Sequence, residues 1–209
     1  MRTPALVARL LLAACAVALP ARAADPAYAV KVAIALHGPD ALQFGSAPPQ
    51  GVGGPIDLVD DRGRRFTNAS LHGRPALMFF GFTHCGITCP VALVTAKQLL
   101  HDTSVMRAPT IVFVTLDPLS DDVPTLHRFL DAFDPRLIGL TGSPTQIWAL
   151  ADRFGVGIQH NDGRIEHSSV WYLLDGHGQV RRTYAYDTPA SQVAADFERL
   201  RQSSSGDTP

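Results

Sequence analysis

The sequence predicts an α/β domain: a mixed β-sheet flanked by helices, with an N-terminal β-hairpin. Three observations carry this. Two continuous apolar runs, 76–82 and 110–116, have the character of strands buried on both faces. Each run is followed by a stretch with helical features, and strand–helix alternation implies parallel pairing. A late pair of strands, 169–174 and 180–186, is joined by the turn Asp175-Gly176-His177-Gly178, which adds antiparallel pairing.

The elements follow in order. Residues 56–59 and 65–67 flank Asp60-Asp61-Arg62-Gly63 and read as the first hairpin. The apolar run 76–82 is the first buried strand, and 91–101 has helical spacing, with Pro90 suited to its first turn. The second buried strand, 110–116, leads to a helix over 122–133, with Asp121 or Asp122 as its N-cap. A short strand, 137–140, precedes a helix to about Phe154, capped by Ser143-Pro144. The late strand pair ends at Thr188-Pro189, which opens a last helix to about Arg201. Trp148, Trp171 and Met78 are expected in the core.

Organisation and charge narrow the function. Arg2 and Arg9, the apolar run 10–19, Pro20 and Ala21-Arg22-Ala23 form a secretory signal over 1–23. That run is shorter than the roughly 20 apolar residues a membrane span needs, so no transmembrane anchor is expected. Leu12-Ala13-Ala14-Cys15 also resembles a lipoprotein processing site, but Arg9 leaves little apolar run ahead of Cys15, and soluble export is preferred. Residues 24–52 read as a flexible lead-in in which 28–36 can form a short strand. Residues 53–202 form the domain, and 203–209 a disordered tail. Without residues 1–23 the chain keeps 15 Lys+Arg against 19 Asp+Glu, a formal charge of −4, which argues against nucleic-acid binding. Nothing requires an obligate oligomer, so a monomer is expected.

The chemistry concentrates in Phe79-Phe80-Gly81-Phe82-Thr83-His84-Cys85-Gly86-Ile87-Thr88-Cys89-Pro90, where a buried strand hands over to a helix. A helix N-terminus stabilises a thiolate, and a thiolate is a redox nucleophile or a soft-metal ligand. If the segment is helical, Cys85 and Cys89 are i and i+4 on one face, with Cα atoms about 6 Å apart. A disulfide fits that distance, and so do two sulfurs converging on one ion. Spacing leaves both chemistries open. A purely structural disulfide is the weaker reading, because closing so small a loop removes little chain entropy.

A metal held by two thiolates needs a further ligand, and the chain has eight histidines. His84 adjoins Cys85 but points elsewhere if the backbone is regular. His37, His72, His101, His127 and His177 fall in loops or on helix surfaces, where solvation is expected. His160 and His167 flank the loop 161–166. The element order, with a cysteine pair after an early strand, is thioredoxin-like. In that fold the loop before the strand at 169–174 lies beside the cysteine motif and ordinarily carries a cis-proline. No proline occurs between Pro144 and Pro189, and His167 stands in that place.

Gly53-Gly54-Pro55, the following hairpin, the cysteine motif, Leu116-Asp117-Pro118 with Asp121, and His167-Ser168 together resemble the Sco/SenC copper chaperones over about residues 53–200. The resemblance implies copper ligation by Cys85, Cys89 and His167. It further implies periplasmic or secreted delivery of copper to the copper A site of a cytochrome c oxidase subunit, or reduction of that site's cysteines. Departures from the family pattern are Gly86 in place of the common proline, Glu166 in place of an aspartate, Ile56 in place of a phenylalanine, and a short 161–166 loop, which bears on how far His167 moves. Two thiolates and an imidazole suit Cu(I); zinc would accept the same set with a water. The alternative is a thiol–disulfide oxidoreductase using Cys85 and Cys89. Asp117 is either a turn-former or a carboxylate behind the metal. The three scattered methionines, Met1, Met78 and Met106, argue against a site built from thioethers alone.

Overall fold

The two apolar runs form the centre of a seven-stranded sheet. The computed structural model describes residues 43–102, 109–161 and 164–205. The expected leader 1–23, Cys15, the possible strand 28–36, His37 and Met106 lie outside them. In chain order the strands are β1 (Asp57–Asp60), β2 (Arg65–Thr67), β3 (Ala76–Gly81), β4 (Thr110–Thr115), β5 (Ile138–Thr141), β6 (Ile158–Asn161), β7 (Arg164–His167), β8 (Val170–Leu174) and β9 (Val180–Ala185). The helices are α1 (Thr88–His101), α2 (Val123–Asp131), α3 (Pro144–Arg153) and α4 (Ala190–Ser205), and a 3-10 turn spans Asn68–Leu71. The main sheet has the order β2-β1-β5-β4-β3-β8-β9, while β6 and β7 form a separate hairpin. β3, β4 and β5 pair in parallel, and β8 and β9 add antiparallel strands beside β3. The mixed sheet flanked by helices is as expected.

Period-two alternation is hidden in the central strands because both faces are apolar. Leu77 and Phe79 of β3, Ile111 and Phe113 of β4, and Trp171 and Leu173 of β8 pack on one side with α1, α2 and α4. Met78 and Phe80, Val112 and Val114, and Tyr172 and Leu174 pack on the other side with Ile147, Leu150 and Ala151 of α3. Burial from both sides makes β3 the most enclosed strand, and its C-terminal end carries the cysteine motif. No helix among the described residues is long and apolar enough to cross a membrane.

Local signals account for most boundaries. The Asp122 carboxylate accepts the Thr125 N–H at 2.9 Å, so Asp122 caps α2. Ser143 and Gln146 form a reciprocal capping box at α3, with Pro144 as the first helical residue. The Asp60 carboxylate accepts the N–H groups of Arg62 and Arg64, which closes the first hairpin turn.

Four features differ from expectation. The lead-in is described from Gln43, and from there it is docked. The Gln43 and Phe44 N–H groups donate to the buried Asp196 carboxylate, and Ser46 and Gly53 bridge to Thr183 and Gln179. A carboxylate on α4, distant in sequence, provides this anchor. The last helix runs to Ser205, past Arg201 and into the expected tail. Trp148 is 48% exposed on α3, because only one stripe of that helix faces the sheet. Ile158–Asn161 and Arg164–His167 pair as antiparallel strands, where the sequence suggested a loop over 161–166.

Candidate metal centre

Each candidate side chain is placed by the end of a strand. β3 stops at Gly81, the chain turns through Phe82–His84, and the Cys85 N–H donates to the Phe82 carbonyl at 3.2 Å. Cys85 therefore lies in the connection, ahead of α1. This corrects the picture of both cysteines on one helical face. Cys89 sits in the first turn of α1 and is fully buried, while Cys85 is half-buried. Pro90 fits this early turn because its missing N–H would have had no intrahelical partner there. Both thiols are free.

Gly81 makes the space for Cys89. A Cβ built on Gly81 would lie 2.7 Å from the Cys89 Sγ and 2.9 Å from two ring carbons of Phe113. The glycine at the strand end is thus required by the close approach of a sulfur.

The hairpin β6–β7 carries the third side chain. His167 is the last residue of β7, paired in register with Ile158, and is half-buried. Its Nδ1 lies 3.0 Å from the Ser168 carbonyl oxygen. A carbonyl only accepts, so Nδ1 carries the proton and Nε2 holds the lone pair. The ring stands edge-on to Phe82, with centroids 5.9 Å apart. The Cys85 and Cys89 sulfurs and a ring nitrogen of His167 all lie within 4.8 Å of one another. With metal–sulfur and metal–nitrogen bonds of about 2.3 and 2.0 Å, two ligands on one ion lie up to about 4.5 Å apart. The cluster is therefore near the size that one ion spans.

Burial dominates the electrostatics. It pushes the Cys89 thiol well above its ordinary range, aided by a hydrogen bond with Cys85 and by the charge of Asp121, while a hydrogen bond from the Phe82 backbone opposes it. The helix N-terminus alone would favour the thiolate; at Cys89 desolvation wins. Burial also lowers the His167 pKa, against the pull of the Ser168 carbonyl, so the imidazole is neutral near pH 7. A neutral imidazole is the ligating form.

Behind the cluster lies a carboxylate to which the sequence reading gave a place in the family pattern but no role beyond a helix cap. Asp121 is fully buried. Its carboxylate accepts the Thr83 N–H at 3.0 Å, the Thr83 hydroxyl at 2.5 Å and the Thr115 hydroxyl at 2.6 Å. It thereby ties the turn before Cys85 to the end of β4. The available signal was the pair of threonines at the ends of two buried strands, facing an aspartate in the next loop. Asp117 forms a turn: its carbonyl accepts the Ser120 and Asp121 N–H groups and its N–H donates to the Thr115 hydroxyl, and its carboxylate is not one of the three groups that converge.

The other histidines are elsewhere. The His84 ring is exposed and bonds the Thr83 hydroxyl. His101 pairs with Asp134 and His127 with Asp61. His72 and His177 are exposed, and the His160 side chain is outside the described set.

The model of the SCO1/SenC family matches residues 45–202. The chain belongs to that family. Among SCO1/SenC relatives, an SCO2-like protein of Rickettsia prowazekii is 33% identical over 157 residues, covering 70% of this chain and 76% of the relative. The mitochondrial protein SCO1 homolog 1 of Arabidopsis thaliana is 36% identical over 138 residues, 62% of this chain but only 41% of that longer protein. The crystal structure of Arabidopsis thaliana ScoI with copper bound superposes with a TM-score of 0.65 at 32% identity, covering 72% of this chain and 99% of that one. Bradyrhizobium japonicum ScoI with copper bound gives 0.64 at 32% identity, covering 71% and 99%.

Proposed function

We propose that this chain is an exported copper chaperone that carries one copper ion on Cys85, Cys89 and His167. It delivers that ion to the copper A site of a cytochrome c oxidase subunit or to a related copper protein. The observation that carries this reading is the convergence of two free thiols and an imidazole within 4.8 Å. Copper-bound SCO1/SenC relatives of the same fold support the choice of metal, and the N-terminal signal pattern supports export to the periplasm or beyond.

The geometry suggests how cargo is held and released. Loading Cu(I) requires both thiols to lose their protons, so binding releases protons and strengthens as pH rises. Burial of Cys89 holds one sulfur in place, while half-buried Cys85 and His167 remain open to an incoming thiol. His167 comes from a different segment than the cysteines, so a partner's thiol can replace it without opening α1. The carboxylate of Asp121 fixes the turn that aims Cys85.

The same asymmetry supports the alternative of a thiol–disulfide oxidoreductase. Half-buried Cys85 would attack a target disulfide, and buried Cys89 would resolve the mixed disulfide, leaving the target reduced and this pair oxidised. One experiment addresses delivery: copper-loaded protein is mixed with an apo copper A domain in the presence of a chelator that scavenges free copper. Delivery predicts copper appearing in the acceptor, measured as metal content after the two proteins are separated, in step with loss of copper from the donor. Transfer no faster than from the copper–chelator complex contradicts it.

A further inference from the structure

A basic cleft opens at the end of the sheet away from the cysteines. It encloses about 360 Å³. Arg74 lies just ahead of β3, Thr110 opens β4, and Ser70 and His72 come from the 3-10 turn and its exit. The metal cluster lies beyond the opposite end of β3, a strand about 20 Å long. The two places share no residue.

Arg64, Arg65, Arg74 and His72 all line this cleft, but they are not equivalent. Arg64 is paired with Asp60 and Arg65 with Asp57, each at 2.8 Å. Asp60 is the one acid in the lining, and its carboxylate is already occupied by the N–H groups of Arg62 and Arg64 and by the Arg64 Nε. Arg74 is exposed and pairs with no carboxylate among the described residues. The Ser70 oxygen accepts the Thr67 N–H at 3.0 Å, which leaves its own hydrogen to donate.

The backbone adds an independent observation. His72 is the only non-glycine residue with positive φ among the described residues, at φ 52° and ψ 41°. Glycine or asparagine would take that position with less strain. The sequence places instead a ring whose N–H can donate, and Gly73, also at positive φ, leads directly to Arg74. The whole chain has a formal charge of −1, so this concentration of cations is not a by-product of a basic protein.

We propose that the cleft binds a phosphate-bearing anion, anchored by the Arg74 guanidinium with His72 and Ser70 as further donors. The planar guanidinium fork matches phosphate oxygens. The space admits a phosphate monoester or a phospholipid head group, which present the same chemistry from two sources.

The test uses the full chain, titrated calorimetrically with sodium phosphate at constant ionic strength against chloride, then floated with vesicles of phosphatidylglycerol or of phosphatidylcholine alone. Binding that is saturable and specific to phosphate is expected, weakened about tenfold in Arg74→Gln. His72→Asn, which suits the left-handed backbone, also weakens it, and Arg128→Gln on α2 leaves it unchanged. Binding of free phosphate without flotation assigns a soluble ligand. Flotation with phosphatidylglycerol that is lost in Arg74→Gln assigns a head group. No phosphate-specific binding in either format overturns the proposal, and so does equal binding by wild type and Arg74→Gln when both show the same melting temperature.

Discussion

Replacing Gly81 by alanine tests whether the strand end is shaped around the Cys89 sulfur. The new methyl carbon would sit 2.7 Å from Sγ and 2.9 Å from two Phe113 ring carbons. Neither neighbour retreats easily: Cys89 is fully buried, and the Phe113 ring lies between Phe79 and Phe129, with centroids 6.3 and 6.0 Å away. Overpacking of this kind costs about 1–3 kcal/mol, which for a domain of this size lowers the melting temperature by about 3–10 °C. The sulfur must also shift by several tenths of an ångström, which weakens metal binding. Gly86 is an internal control, because a Cβ there meets nothing within 4 Å. Gly86→Ala should change stability by less than about 0.5 kcal/mol. Thermal unfolding of the apo proteins and Cu(I) competition read the two effects separately. If Gly81→Ala melts and binds Cu(I) like Gly86→Ala, the spatial argument for this glycine fails.

Asp121→Ala strands the Thr83 N–H and two hydroxyls in a buried site and should cost about 3 kcal/mol in denaturant unfolding. Asp121→Asn removes the charge that helps raise the Cys89 pKa, so thiolate ultraviolet absorbance should develop at lower pH than in wild type. The folded-state pKa of His167 lies below its ordinary value of 6.5, so the unfolded chain binds that proton more readily. Its contribution is therefore present above pH 6.5 and lost as the pH falls below it; in His167→Gln the apo melting temperature should vary less across that range. Asp196→Ala removes the acceptor for the Gln43 and Phe44 N–H groups and the Tyr184 hydroxyl. It should cost about 2–4 kcal/mol and abolish hydrogen-exchange protection of the Phe44 amide.

The sheet was legible because its central strands are apolar on both faces and two of its helices begin with a capping residue, Asp122 and Ser143. The pairing of 158–161 with 164–167 was not. Asp162-Gly163 is a hairpin signal, but its flanks are short and polar, with little alternation to mark them as strands. The three chemical side chains could be singled out from Cys85, Cys89 and His167, yet their geometry could not. Whether Cys85 is helical depends on where α1 begins, and Pro90 is compatible with several first-turn positions. Asp121 escaped because its partners, Thr83 and Thr115, come from strand ends 32 positions apart that are joined only by the register of β3 and β4. The docking of Gln43 and Phe44 on Asp196 is long-range in the same way, since no local pattern marks a backbone amide for a carboxylate 153 positions away.

The central claim is that Cys85, Cys89 and His167 form one copper site. Anaerobic titration of the reduced protein with Cu(I), against a competing chelator, tests it most directly. The account predicts one tightly held ion per chain, binding that collapses in Cys85→Ser and in Cys89→Ser, and binding that is weakened but measurable in His167→Ala. Less than one ion per chain in the wild type, or an affinity unchanged by these substitutions, would contradict it.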